Sequence, residues 1–358
     1  MHLEKLNDNY LASVNEKGIV QVWDINRGDS KYTFNLSSGL LPNTLYSPML
    51  SLKNDLFATS LTEYKINDNF DFENKYFIKI WDLKTGELKF TFDEKNGGHL
   101  DKIQCMSLLE NGFLASADIS GVIKVWDIEK KEIKYTFNTT ESILSLISLD
   151  HNYLAAGYLS GITRVFNIEI GKLKYSLDGS SLIPGTIFNS NVNDMALLEN
   201  GYLAVASSGG FIKIWDMING KLKFFLDQNN NQLPVLVLAE LQNGYMASGD
   251  SQGIVKIWDI TNGKLVSTLI GHSSSITNLV ELDNGRLASS DTDGTIKIWN
   301  PYEVKLLFTF DSSNGGSGDL ISELYALEND IFVNVCFVKI IIKFRSIIVY
   351  IFNINVYC

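Results

Sequence analysis

Read as apolar and polar positions, the chain repeats one phrase. An apolar strand, a turn, a short second strand, another turn, an alternating strand ending on tryptophan, and an aromatic-rich alternating strand follow one another. The copy from Ser275 to Phe310 shows it in full. Ile276 to Leu282 is apolar and mostly β-forming, and Asp283-Asn284-Gly285 signals a turn. Arg286 to Ser290 reads as a second strand, and Asp291-Thr292-Asp293-Gly294 as a second turn. Thr295 to Trp299 is a third strand with β-branched residues. Asn300-Pro301-Tyr302-Glu303 turns into a fourth, Lys305 to Phe310. Four short strands with this punctuation predict an antiparallel meander.

The phrase recurs around Trp23, Trp81, Trp126, Trp215, Trp258 and Trp299, and around Phe166 where the series skips a tryptophan. A glycine precedes the aromatic at a fixed offset: Gly18, Gly121, Gly161, Gly210, Gly253 and Gly294, with Tyr76 the exception. Glycine suits a tight hairpin turn because a positive φ costs it nothing. The fourth strand repeats as Lys31-Tyr32-Thr33-Phe34, Lys89-Phe90-Thr91-Phe92, Lys134-Tyr135-Thr136-Phe137 and Lys174-Tyr175-Ser176-Leu177. Its alternation of aromatic and hydroxyl side chains predicts a half-exposed outer strand. The mean period is about 46 residues, near the roughly 40–45 of a four-stranded propeller repeat.

These phrases, with Trp-Asp at Trp23, Trp81, Trp126, Trp215 and Trp258, resemble the WD-repeat β-propeller family over nearly the whole chain. The resemblance implies an all-β fold, a β-propeller of four-stranded antiparallel blades with seven clear units plus a degenerate eighth. Residues 1–358 are expected to form one propeller, with 311–358 the poorly matching last unit and hydrophobic tail. After Asp330 there is no Asp, Glu, Gly or Pro. Lys339, Lys343 and Arg345 cut the tail into runs too short for the ~20 residues of a membrane span. An eighth unit is the better reading: Leu320 to Leu327 as first strand, Ile331 to Val335 as second, and Val349 to Ile354 as third. A mis-joined C-terminus is the other alternative. The first strand is expected at Leu3 to Leu6 with no outer strand ahead of it, which predicts weak ring closure.

The family's best-formed blades carry a relay of His, Ser or Thr, Asp and Trp. Carried over, the resemblance implies one complete relay, His272, Ser289, Asp293 and Trp299. The unit of His99, Ser116 and Trp126 has Ser120 where the same alignment expects Asp. His, Ser and Asp are also the ingredients of a nucleophilic triad. The structural reading is preferred, because no nucleophile elbow accompanies them.

A net charge of -11 argues against nucleic acid or an anionic membrane as partner, since both need a basic footprint. Cys105, Cys336 and Cys358 are too scattered for a disulfide framework or zinc site, and no signal peptide opens the chain. A cytoplasmic location is the resulting expectation. No cofactor or metal site is expected. The insertion from Thr62 to Asn74 carries Asp68, Asn69, Asp71 and Glu73, conceivable calcium ligands, but in no EF-hand spacing. A solvated, dispensable hairpin extension is the plainer reading. As a functional alternative, Tyr64, Phe70 and Phe72 would anchor a protein contact.

The function expected is a non-enzymatic interaction scaffold for other proteins or peptides, presenting loops on a rigid face. The resemblance puts Glu16, Ile119, Leu159, Ser208, Ser251 and Thr292 on the loop-rich top face as candidate contacts. The alternatives are a sensor or regulatory propeller domain of a larger protein, and a propeller hydrolase. The hydrolase would need carboxylates converging on a channel, whereas this chain repeats its acids in turns beside tryptophan. The Trp-Asp-x-Arg signature of ubiquitin-ligase adaptors is not met, with Asn26, Lys84, Glu129, Ile218 or Thr261 in its last place.

Overall fold

The computed structural model describes residues 2–7, 10–14, 19–24, 29–35, 48–66, 72–178, 190–227, 233–282 and 285–311, and four strands beyond them whose backbone alone is described. Among the described residues eight four-stranded antiparallel sheets form, each a meander of consecutive strands. Sheet 1 is β1 (His2–Asn7), β2 (Tyr10–Val14), β3 (Ile19–Asp24) and β4 (Asp29–Asn35). Sheet 2 is β5 (Met49–Ser51), β6 (Leu56–Ile66), β7 (Phe72–Asp82) and β8 (Leu88–Phe92). Sheet 3 is β9 (Ile103–Leu108), β10 (Leu114–Asp118), β11 (Val122–Asp127) and β12 (Glu132–Asn138). Sheet 4 is β13 (Ile143–Leu149), β14 (Tyr153–Tyr158), β15 (Thr163–Asn167) and β16 (Lys172–Leu177). Sheet 5 is β17 (Val192–Leu197), β18 (Tyr202–Ser207), β19 (Phe211–Asp216) and β20 (Lys221–Asp227). Sheet 6 is β21 (Val235–Leu241), β22 (Tyr245–Asp250), β23 (Ile254–Asp259) and β24 (Lys264–Ile270). Sheet 7 is β25 (Ile276–Glu281), β26 (Leu287–Asp291), β27 (Ile296–Asn300) and β28 (Lys305–Phe310). Sheet 8 is β29 (Ile321–Leu327), β30 (Ile331–Cys336), β31 (Lys339–Lys343) and β32 (Val349–Asn353).

The last sheet corrects one expectation. Val349–Asn353 is its fourth strand, and Lys339–Lys343 is the third. The Phe352-Asn353 pair resembles Trp-Asp, but Lys339–Lys343 already pairs with β30, so the third place is filled earlier.

Two compact units can be distinguished: 1–159 with 164–175, and 160–163 with 176–358. In the first unit β1, β5, β9 and β13 lie side by side; in the second, β17, β21, β25 and β29 do. Each unit is thus a row of sheets stacked face to face on their second and third strands. The core lies between successive sheets. Leu109, Ala115, Ile123 and Val125 of sheet 3 pack with Leu154, Ala156 and Phe166 of sheet 4. Ala204, Ile212 and Ile214 of sheet 5 pack with Met246 and Trp258 of sheet 6. Second strands are buried on both faces, which is why they read as short runs of small apolar residues.

The insertion is a regular continuation of the β6–β7 hairpin. Its pairing runs without a break from Leu56↔Asp82 to Ile66↔Phe72. Phe70 lies outside the described residues, as do the side chains of Tyr64 and Phe72.

Candidate functional site

Each tryptophan closes a third strand opposite the start of the second: Leu11↔Trp23, Phe57↔Trp81, Leu114↔Trp126, Leu203↔Trp215, Met246↔Trp258 and Leu287↔Trp299. A buried indole N–H needs an acceptor. Trp23 donates to Ser13 Oγ at 2.9 Å, Trp81 to Thr59 Oγ1 at 2.9 Å, and Trp258 to Ser248 Oγ at 2.8 Å.

In sheets 3 and 7 the chain of bonds goes further. Trp299 Nε1 donates to Ser289 Oγ at 2.8 Å, and Ser289 Oγ stands 2.6 Å from His272 Nε2. His272 Nδ1 is 2.7 Å from an aspartate, but from Asp291, not Asp293. Asp293 is exposed in the turn and takes a 3.3 Å bond from Ser273 Oγ. Asp291, fully buried at the end of β26, also accepts the amides of Asp293 and Thr295 and so fixes the turn. The resemblance implied Asp293, but the imidazole meets a carboxylate under cover, at the strand end.

Placed there, the aspartate completes a second relay that the sequence reading lacked. Trp126 donates to Ser116 Oγ at 2.8 Å, and His99 lies 2.7 Å from both Ser116 Oγ and Asp118 Oδ2. Ser120, assigned the aspartate's place, donates to Asp118 instead. Burial holds His99 below its ordinary pKa of 6.5, outweighing the pull of Asp118. The ring is therefore neutral: Nδ1–H donates to the carboxylate, and Nε2 accepts from the serine that accepts the indole. Burial alone would raise Asp118, but bonds from His99, Ser120 and the Val122 amide outweigh it and keep the carboxyl below the usual range. The offset of the aspartate from Trp126 and Trp299 is the same, a signal available in the sequence.

Ser116 and Ser289 are both sealed at 0% exposure, and each already accepts an indole N–H. Neither can meet a substrate, so the triad chemistry has no access. Among the described residues no group of three or more His, Cys, Asp or Glu is placed to hold a metal, and no helix is long and apolar enough to cross a membrane.

A family model described as "WD domain, G-beta repeat" matches residues 175–216 and 263–300. The crystal structure of the computationally designed Ika8 protein resembles the chain in fold, with a TM-score of 0.74 and 24% identity over 93% of this chain and 92% of that one. The chain has an all-β propeller fold of four-stranded blades, and two stretches of it match the WD-repeat model. No curated protein matches it significantly.

Five of the candidate contact residues share one backbone position. Directly after the second strand, Ile119 donates its amide to Lys102 O, Leu159 to Ser142 O, Ser208 to Asn191 O, Ser251 to Pro234 O and Thr292 to Ser275 O, all at 3.0–3.1 Å. Each bond ties the turn to the loop that enters the same blade. Ile119 and Leu159 are 40% and 48% exposed, both in the first unit, while the other three are half-buried. Thr292 Oγ1 also bonds Ser274 Oγ, and Ser251 O accepts Ser275 Oγ. Glu16, Tyr64, Phe70 and Phe72 lie outside the described side chains.

Sequence alternation concealed a further device. At every tryptophan the third and fourth strands slip by one residue, so that Val125 faces Tyr135 but Trp126 faces Ile133. The residue thrown out is Lys31, Lys89, Lys134 or Lys223 in blades 1, 2, 3 and 5. Lys31 lies 4.0 Å from the Tyr10 ring centre and Lys134 4.5 Å from that of Phe113, each covering the aromatic that opens or precedes its own second strand. The next aromatic reaches the neighbouring blade. Tyr32 donates to Lys84 O, and Tyr135 to Glu169 O at 2.9 Å. Their rings lie against the turn glycines Gly86 and Gly171, and Phe224 does the same at Gly263.

Proposed function

We propose that this chain is a non-enzymatic protein-interaction scaffold. WD repeats generally serve protein–protein interaction, and one observation carries the reading for this chain. Five successive blades pin the same backbone atom with the same bond while the side chain there changes from Ile to Leu, Ser, Ser and Thr. A fixed frame with free choice of side chain is what recognition by loops requires. In the first unit that frame holds two branched aliphatic side chains at the surface, Ile119 and Leu159. Apolar anchors on a rigid mount contribute to protein contacts without a large ordering cost.

The test uses the full chain as bait from a lysate of its own cells, with proteins identified by mass spectrometry. Wild type and an Ile119→Asp/Leu159→Asp variant are compared after matching their thermal melts. Loss of a defined set of proteins from the variant is expected. Recovery of the same set by both would overturn the role of these residues.

A further inference from the structure

Among the first seven blades, blade 4 alone lacks a tryptophan, and it fills the relay positions differently. Counted back from Phe166 by the offsets of the blade 3 relay, Thr139 stands in the place of His99. Ala156 stands in that of Ser116, and Tyr158 in that of Asp118. Tyr158 is 0% exposed and packs with Ala115, Ile123 and Leu154. Among the described residues its hydroxyl has no hydrogen-bond partner. A buried polar group in that state is costly and calls for a reason. Thr139 beside it gives its own hydroxyl proton to Gly121 O at 2.6 Å. Burial raises the Tyr158 pKa, against the pull of Thr139 and Arg164 next to the phenol.

Arg164 covers the ring, its guanidinium carbon 4.5 Å from the ring centre. Unlike the phenol it reaches solvent. Its side chain is 22% exposed, and Nη2 donates to Glu141 Oε1 at 3.3 Å, with the Glu141 side chain 32% exposed. Among the described residues this is the guanidinium's one hydrogen bond, so most of its N–H groups stay available. The backbone around the pair is fixed from both sides. Gly121, two residues past Ile119, has no room for a side chain against the Thr139 and Glu141 carbonyls. Leu159 donates its amide to Ser142 O, next in the chain after Glu141. The ion pair thus sits between the turns that present Ile119 and Leu159.

We propose that Arg164 and Tyr158 bind a carboxylate, the Asp or Glu side chain of a partner protein's peptide segment whose apolar neighbours reach Ile119 and Leu159. The proposal deepens the scaffold reading and rests on it. Glu141 shows that the guanidinium takes a carboxylate at this spot, but in a single long bond between partly exposed groups, which contributes little. An incoming carboxylate that engages two N–H groups of Arg164 at once replaces it. The same carboxylate has a lone pair left for the Tyr158 O–H, the donor that the fold leaves unused. A cationic ligand would meet Arg164, and a neutral amide would gain only the weaker, uncharged bonds. The chain's net charge of -11 repels a segment of many acids. One acid between apolar residues is the segment that fits.

The probe is a displayed library of random linear peptides selected on the full chain. Enriched peptides should share one Asp or Glu with apolar residues close on either side. Replacing that acid by its amide should weaken binding about tenfold or more. Tyr158→Phe should weaken it by a similar factor with the melting temperature unchanged or raised, since the lost hydroxyl was unpaired. Arg164→Met should do the same; if it fails to fold, Arg164→Lys carries the test with a smaller loss, because an ammonium cannot grip two oxygens side by side. Glu141→Gln should tighten binding by up to about fivefold, by freeing the guanidinium. With an isotopic label at tyrosine Cζ, the resonance missing from Tyr158→Phe should shift when peptide is added. Weaker binding in Glu141→Gln, indifference to Tyr158→Phe, or failure to enrich any acid-bearing peptide would each overturn the proposal. Peptides lost in Ile119→Asp/Leu159→Asp but kept in the Arg164 and Tyr158 variants would overturn the carboxylate site and leave the scaffold standing.

Discussion

Trp126 shows how much one side chain does in this architecture. Its ring is fully buried, lies 4.2 Å from the Phe92 ring centre in the preceding blade, and ends in the relay through Ser116 to His99. Trp126→Ala should cost about 3–5 kcal/mol, the usual range for truncating a buried aromatic. Trp215→Ala, with Val205 where the other tryptophan-bearing blades have a hydroxyl, should cost about as much through packing alone. Ser116→Ala strands both the indole N–H and His99 Nε2, for about 1–3 kcal/mol from each unpaired group. Urea midpoints measure all three, and an unchanged midpoint in either tryptophan variant would show that its ring is not core. The tryptophans were legible because a rare, large residue recurring at constant spacing marks a repeated core position. The relay aspartate was not, because the family resemblance, carried over, put it in the turn at Asp293. Burial, which separates Asp291 from Asp293, has no local sequence mark.

At the scale of the element, the fourth strand carries two fastenings in adjacent residues. In blades 1, 3 and 5 the lysine expelled by the bulge lies over an aromatic of its own blade, and the aromatic beside it lies on the turn of the next. Gly171 is where the second fastening leaves no slack. Its φ is +65°, and a β-carbon there would collide with the Tyr135 ring. Gly171→Ala should therefore destabilise by about 1–3 kcal/mol, from backbone strain and from the collision. Tyr135→Ala alone should cost less than a core truncation, since the ring is half-exposed. Combined, the two should cost less than their sum, because removing the ring removes the collision; additive costs would show that the two do not meet. The pattern Lys-Tyr-Thr-Phe predicted the strand correctly. It hid the bulge, because a slip of one residue appears only when the partner strand is known.

For the whole molecule, the two units answer acid in opposite directions. In the first, burial lowers the His99 pKa, so folding favours the neutral ring. Stability is fully present above 6.5 and falls as pH drops below it and the unfolded chain takes up the proton. In the second, burial pushes Asp194 up from 3.8 to about 6, opposed by the amides of Leu238 and Met195 that its carboxylate accepts. Folding there favours the protonated acid, so stability falls as pH rises from about 4 to about 6. Amide hydrogen exchange should show the strands around Trp126 losing protection from pH 7 to pH 5. Those around Leu238 should gain it, with rates corrected for intrinsic pH dependence. His99→Gln should flatten the first response and Asp194→Asn the second; parallel responses in wild type would refute the assignment. Neither group stood out beforehand, since His99 seemed to lack its aspartate and Asp194 reads as an ordinary strand residue.

The joint between blades also has a direction. Tyr32 reaches forward to Gly86, Tyr135 to Gly171 and Phe224 to Gly263, always from the outer strand of one copy to the turn of its successor. A head-to-tail coupling of this kind asks nothing of a copy except that it carry one plug and one socket. The same turn position is Lys131 in blade 3 and Val304 in blade 7, so a duplicated or excised unit keeps the joint only where plug and glycine socket meet. Unequal recombination is therefore expected to preserve the interface only when the incoming turn brings that glycine.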